Sequence, residues 1–119
     1  MAHNFRKLEV YSEALEIAKK TYRLSSNFPI EEKYGLKSQV QRAAVSIPSN
    51  IAEGSSRSSK KEFAHFLSIS LGSAYELETQ LLICKEFNFF NVEDFETFLS
   101  ELIKLQKRIM SFKNKIEQG

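Results

Sequence analysis

Apolar residues recur along the chain in alternating steps of three and four, the spacing that turns one side of an α-helix toward a core. The first run reads Leu8, Tyr11, Leu15, Ala18 and Tyr22. It stops near Asn27, ahead of Phe28-Pro29, because a residue before proline is driven out of helical geometry. The second run reads Leu36, Val40, Ala43, Ile47, Ile51 and closes at Gly54, a good C-terminal stop. The third, Phe63, Leu67, Ser70, Ala74, Leu77, Leu81 and Cys84, is the longest and cleanest. It opens on Ser59-Lys60-Lys61-Glu62, a capping-box pattern in which Ser59 accepts from the Glu62 N–H and Glu62 reaches back to the Ser59 N–H. The fourth reads Phe95, Phe98, Leu102, Leu105, Ile109, Phe112 and Ile116, with Asn91 as N-cap.

Nothing alternates with period two for long enough to make a strand. The pattern predicts one all-α domain over 1–119, with helices over about 8–27, 31–54, 59–87 and 92–117. Short links between long helices force antiparallel neighbours, hence an up-down-up-down four-helix bundle. The heptad-like spacing favours shallow, left-handed packing. Some apolar surface is left over: Phe66, Ile69 and Leu82 lie beside the main stripe, and Phe87, Phe89 and Phe90 gather at the end of the third helix. Those residues either widen the core or form a surface for a second copy of the chain, since such patches are costly in water.

Composition narrows the function. A 42% apolar and 27% charged chain is an ordinary globular one, and only four Gly and two Pro suit long helices. Cys84, the single cysteine, excludes an intrachain disulfide and a cysteine-based metal site, and its apolar neighbours LLICKEF mark it as a buried structural thiol. The first residues lack the apolar core of a signal peptide, and no apolar run approaches the ~20 residues that span a bilayer. A cytoplasmic location without membrane contact is expected. A net charge of +2 permits contact with nucleic acid without demanding it.

Candidate chemistry is sparse. Glu62-x-x-His65 is half of a di-iron bundle motif, but the other histidine, His3, lies near an end expected to fray, and Asp94 is the lone aspartate. Ser46 and Ser49 have no nearby histidine to activate them. Glu53, Glu76 and Glu78 read as surface or salt-bridged carboxylates rather than an acid–base pair. No Gly-rich phosphate loop occurs. The chain is expected to be no enzyme and to need no metal, cofactor or small-molecule substrate. Its basic residues are more suggestive: Arg57, Lys60 and Lys61 at the second-to-third turn, and Lys104, Lys107, Arg108, Lys113 and Lys115 on the last helix. They read either as a solvated face that suits the helix dipole or as a phosphate-contacting patch. No groove-reading or base-stacking motif accompanies them.

The most unusual stretch is RAAVSIPSNIAEGSSR, residues 42–57. Arg42, Ser46, Ser49 and Glu53 form one polar stripe, and Ala43, Ile47, Asn50 and Gly54 run beside it. Pro48 removes a hydrogen bond to the Ala44 carbonyl and collides with it, so the second helix should bend there. A serine hydroxyl or the Asn50 amide is expected to satisfy the freed carbonyl. The small residues Ala43, Ala44, Ser46, Ser49, Ala52 and Gly54 let a neighbouring backbone approach, and Ser70, Gly72, Ser73 and Ala74 answer on the third helix. A polar cluster of this kind serves best to fix register, with a binding role as the alternative.

With YGLKSQVQ just upstream, this stretch resembles the signature of the 23S rRNA intervening-sequence protein family, the bacterial four-helix-bundle proteins. Arg42, Ser46, Pro48, Asn50, Glu53, Gly54 and Arg57 stand where that motif places them, and the likeness runs from about Leu8 into the fourth helix. The resemblance implies an antiparallel four-helix bundle assembled as a ring-like homopentamer. Some members are encoded inside insertions in 23S rRNA genes, excised without religation, and many are encoded elsewhere. A distant relative, the accessory protein of diversity-generating retroelements, binds nucleic acid and a reverse transcriptase. The resemblance carries over no catalytic residue. It favours an oligomeric bundle that binds RNA or a ribonucleoprotein through basic surface, with a protein-interaction scaffold as the alternative.

Overall fold

The computed structural model describes residues 3–119. Four helices account for its architecture: α1 (Glu9–Ser25), α2 (Leu36–Ser55), α3 (Lys60–Glu86) and α4 (Val92–Gln118), with short 3₁₀ turns at Phe5–Lys7 and Ile30–Glu32. Among the described residues there is no strand. Each helix packs on two others: α2 on α1 and α3, α4 on α3 and α1. Cross-helix contacts fix the directions. Gln39 meets Gln80 while Ser46 meets Ser73, and Phe63 meets Phe112 while Gln106 meets Glu78. Lys20 pairs with Glu101 and Glu13 with Arg108. In each pair one number rises as the other falls, so these neighbours run antiparallel.

The core stripes of the last three helices match the spacing in the sequence. All seven predicted positions from Phe63 to Cys84 are buried, as are Val40, Ala43, Ile47, Ile51 and Gly54, and Phe95 through Ile109. Leu36, Phe112 and Ile116 are partly buried at the edges.

The first helix corrects its expectation. Its buried face is Val10, Ala14, Ile17, Ala18, Thr21 and Ser25, turned about one residue from the predicted stripe. Tyr22 is exposed, and Leu8 and Tyr11 are only partly buried. The face can hold hydroxyls because they are satisfied. Thr21 donates to the Ile17 carbonyl at 2.8 Å, and Ser25 accepts from the Gln41 amide at 3.0 Å.

Boundaries shift where side chains compete for the backbone. α1 ends at Ser25 rather than Asn27. α2 begins at Leu36 rather than 31, because Gly35 leaves helical geometry (φ −106°, ψ −119°) and the Glu32 carboxylate takes the Leu36 N–H at 3.0 Å. Ser59 caps α3 by accepting from the Glu62 N–H at 3.1 Å, but the Glu62 carboxylate accepts from the Ser59 hydroxyl, not from its N–H. Asn91 caps α4 through the N–H groups of Glu93 and Asp94. His3, expected near a frayed end, is tied down: its N–H donates to the Ser55 carbonyl at 2.9 Å, and its ring lies 5.1 Å from that of Phe63.

Pro48 is buried within an unbroken α2. The hydroxyl and amide groups around it do not go to Ala44, contrary to expectation. Ser70 donates to the Ile47 carbonyl at 2.8 Å, and Asn50 donates to the Ser46 carbonyl at 2.8 Å and to the Ser46 hydroxyl at 2.9 Å. Gly54 sets the spacing below this cluster. A Cβ there would lie 2.7 Å from the Phe66 Cβ and 3.0 Å from the Phe63 ring. Gly72, expected in the same small-residue contact, instead faces open space on the outside of α3.

Two outcomes follow from this packing. Gly54→Ala should lower stability by about 1–3 kcal/mol through overpacking, whereas Gly72→Ala should raise it by about 0.5–1 kcal/mol as an exposed helical glycine is replaced. Chemical denaturation of the two variants checks the opposite signs. Cys84 is fully buried, and burial, followed by the charge of Glu32, pushes its thiol up to about 11. Its ionisation is therefore easier in the unfolded chain, so its contribution to stability is whole below about pH 9 and lost as pH rises toward 11. A thiol reagent at neutral pH should modify the native protein far more slowly than the denatured one, and equal rates would refute the burial.

Candidate nucleic-acid interface

The basic residues singled out in the sequence do not form one patch. Packing divides them, because α4 presents different faces to α1 and α3. Arg108 donates to the Glu13 carboxylate at 2.6 Å across the α1–α4 seam, and Lys104 lines the same seam beside the Lys20–Glu101 pair. Lys107 lies on another side of α4, with Tyr75 and Met110. Lys115 is exposed in the last turns of α4. Arg57 is committed locally: its guanidinium sits 4.7 Å over the Phe66 ring and 3.4 Å from the Glu53 carboxylate. Such a stacked arginine covers apolar surface as much as it offers charge.

Three of the predicted lysines do converge. Lys60, Lys61 and Lys113 line a cleft of about 530 Å³ between the first turns of α3 and the end of α4, together with Ala64, His65, Ser68 and Glu117. The helix spacing explains it. Lys60 and Lys61 open α3, His65 and Ser68 follow on the same outer side one and two turns later, and antiparallel pairing brings the end of α4 alongside. Lys113 and Glu117, one turn apart on α4, are paired at 3.1 Å. Lys60, Lys61 and His65 are exposed, so their charge and donors are available to solvent. The lysines and Glu117 leave the lining formally at about +2. His65, which the sequence offered only as half of a di-iron motif, also lines this cleft; its edge-on contact with Phe66, 5.8 Å between centroids, sets its ring against α3.

The signature residues fall elsewhere and fill other roles. Ser46 and Ser73 share a 2.8 Å hydrogen bond between α2 and α3, and Asn50 donates to Ser46, so these residues lock one helix against the other. Arg42 and Ser49 are exposed on the outer side of α2. No histidine approaches Ser46 or Ser49 through a hydrogen bond, Glu78 accepts from Gln106 at 2.8 Å, and Glu53 is taken by Arg57. Glu53 and Glu78 are thus spent in separate contacts, and Glu76 is exposed. Glu62 serves the Ser59 cap. Among the described residues no three His, Cys, Asp or Glu gather into a potential metal site, and no helix is long and apolar enough to cross a membrane.

The leftover apolar surface also divides. Phe66 is half-buried beneath Arg57, and Phe89 and Phe90 pack on Phe28 and Phe95. Ile69, Leu82 and Phe87 remain exposed, Phe87 at 63%.

A four-helix bundle with a signature-locked α2–α3 pair and a basic cleft at one end defines a class, and the sequence match gives it a family. The model of the 23S rRNA-intervening sequence protein matches residues 6–111, so the chain belongs to that family. The fold is also that of a protein of unknown function from the S23 ribosomal protein family of Bacteroides thetaiotaomicron. That crystal structure superposes with a TM-score of 0.78 at 24% identity, over 87% of this chain and 97% of its own. Neither description is that of an enzyme. No functionally curated protein matches the chain.

Proposed function

We propose that this chain is a non-enzymatic, self-associating bundle that binds RNA through phosphate contacts in the Lys60–Lys61–Lys113 cleft. The meeting of those three lysines on one cleft, with Lys60 and Lys61 exposed and Lys113 held only by Glu117 of the same lining, carries the reading. Lysine ammonium groups act as point charges on phosphate oxygens and read no sequence. The family's tie to rRNA insertions makes RNA the natural source of that phosphate. Assembly would repeat the cleft by symmetry, so a formal charge of only +2 per chain can still give firm binding through multivalency. Exposed Ile69, Leu82 and Phe87 supply the apolar surface for copies to meet, and five subunits follow from the family likeness. With no apolar span in the described residues, the cytoplasm is the compartment that suits this role.

A scaffold reading draws on that same apolar surface. If its partner is another protein, the cleft lysines are merely solvated ends of helices.

Binding to a structured RNA, followed by fluorescence anisotropy, should weaken with salt at a slope of about −2 to −3 per cleft, since each neutralised phosphate adds about 0.7–0.9. Scrambling the RNA sequence should matter little. Reversing Lys60, Lys61 and Lys113 to Glu should abolish binding with helix content unchanged, while Lys107→Glu on the other face leaves it intact. Indifference of the wild type to RNA at low salt would favour the scaffold. Light scattering should give a mass several times the 13.7 kDa of one chain, and a monomer at micromolar concentration would overturn the assembly.

A further inference from the structure

We infer that the cleft takes a phosphate monoester, the dianionic end of a nucleic-acid strand, in preference to the running phosphodiester backbone, and that Glu117 acts as its competitor for Lys113. The inference rests on the RNA reading above and names the group that the same cleft would hold.

The first argument is the distribution of charge. A protein that follows a backbone needs a row of available cations along the strand. Here two of the arginines are engaged elsewhere: Arg57 is held by Glu53 and Phe66, and Arg108 by Glu13. Three lysines line one cleft, Lys60 and Lys61 exposed and Lys113 paired with the Glu117 of the same lining. A phosphate monoester carries about −1.5 to −2 charges at pH 7 and three terminal acceptor oxygens. A diester offers one charge and two such oxygens. Three convergent lysines, with the Ser68 hydroxyl beside them, match the former in charge and in donor count.

The second argument is what the lining lacks. Apart from His65, which already lies edge-on to Phe66, no aromatic ring faces the cleft on which a base could stack. The recognised group is therefore the phosphate, and the rest of the nucleotide extends outward.

The third is Glu117. It is the only carboxylate in the lining, and it neutralises Lys113 when the cleft holds no anion. Lys113 is the least exposed of the lysines here, at 21% for its side chain, whereas the Glu117 side chain is 47% exposed and free to swing into water. A dianion can displace it, but a monoanion gains less by doing so. The competing carboxylate thus sharpens the preference for the more highly charged ligand.

The test uses the full chain and one RNA oligonucleotide prepared with a 5′-phosphate, a 3′-phosphate or hydroxyls at both ends, with anisotropy at fixed low salt. A phosphorylated end should bind roughly three- to tenfold more tightly than the hydroxyl form, the range set by two or three exposed charge pairs. Lys60→Gln with Lys61→Gln should erase the preference. Glu117→Gln should instead strengthen binding of the phosphorylated strand by roughly two- to fivefold, a gain that a misfolded variant cannot mimic. If all three strands bind equally and the lysine variant weakens each alike, the inference fails while backbone binding by the cleft stands. If no strand binds, the functional reading falls with it. Adenosine monophosphate is the control for source: competition at the strength of the phosphorylated strand would identify a free nucleotide as the ligand and overturn the strand-end assignment.

Discussion

The closeness of α2 and α3 is the constraint on which the rest of this bundle depends. At Gly54 the two helices are so near that a single methyl group would meet the Phe66 Cβ at 2.7 Å. A turn or two away, Ser70 reaches the Ile47 carbonyl and Ser46 bonds Ser73. Apolar stripes alone could slide by a turn with little loss, because one Leu or Ile resembles another. Hydrogen bonds between particular hydroxyls and carbonyls do not slide. This seam is the most extensive in the molecule, and it fixes where α3 begins relative to the end of α2. The link between them is short, so the position of Lys60 and Lys61 follows from it.

Much of this was legible in the sequence, for reasons that differ by helix. In α3 the cap is explicit and the seven positions read from the spacing, Phe63 to Cys84, are all buried, although Ala64 and Leu71 join them in the core. In α1 the pattern is degenerate. Tyr22 looks apolar, but its ring stays in water, while Thr21 and Ser25 enter the core because their hydroxyls find partners there. Thr21 is satisfied within α1 by the Ile17 carbonyl and Ser25 by Gln41 of α2, and hydropathy registers neither. The start of α2 was misplaced for a similar reason. Gly35 was the visible signal, but its meaning depends on the Glu32 carboxylate reaching forward to Leu36.

The cleft was half legible. Its lysines could be picked out by charge, but charge along a sequence does not say which cations are already paired. Arg57 and Arg108 stood beside the others in the sequence and in three dimensions are engaged, one with a phenylalanine and a glutamate of its own vicinity, the other with α1, as Lys113 is with Glu117. His65 and Glu117 were missed as members because nothing local links residues on two helices so far apart in the chain. Only the antiparallel return of α4 brings them together.

The two sides of the bundle are held by different physics, and this has a consequence for how it comes apart. The α2–α3 seam is bonded through buried hydroxyls and close backbone approach, which ionic strength scarcely touches. The α1–α4 seam is the least extensive and is bridged over an open groove by Lys20–Glu101 and Arg108–Glu13, whose side chains are partly in water. Exposed pairs of this sort are screened by salt. The α1–α4 seam is then the natural place for sub-global opening, while the α2–α3 hairpin persists as the last cooperative block.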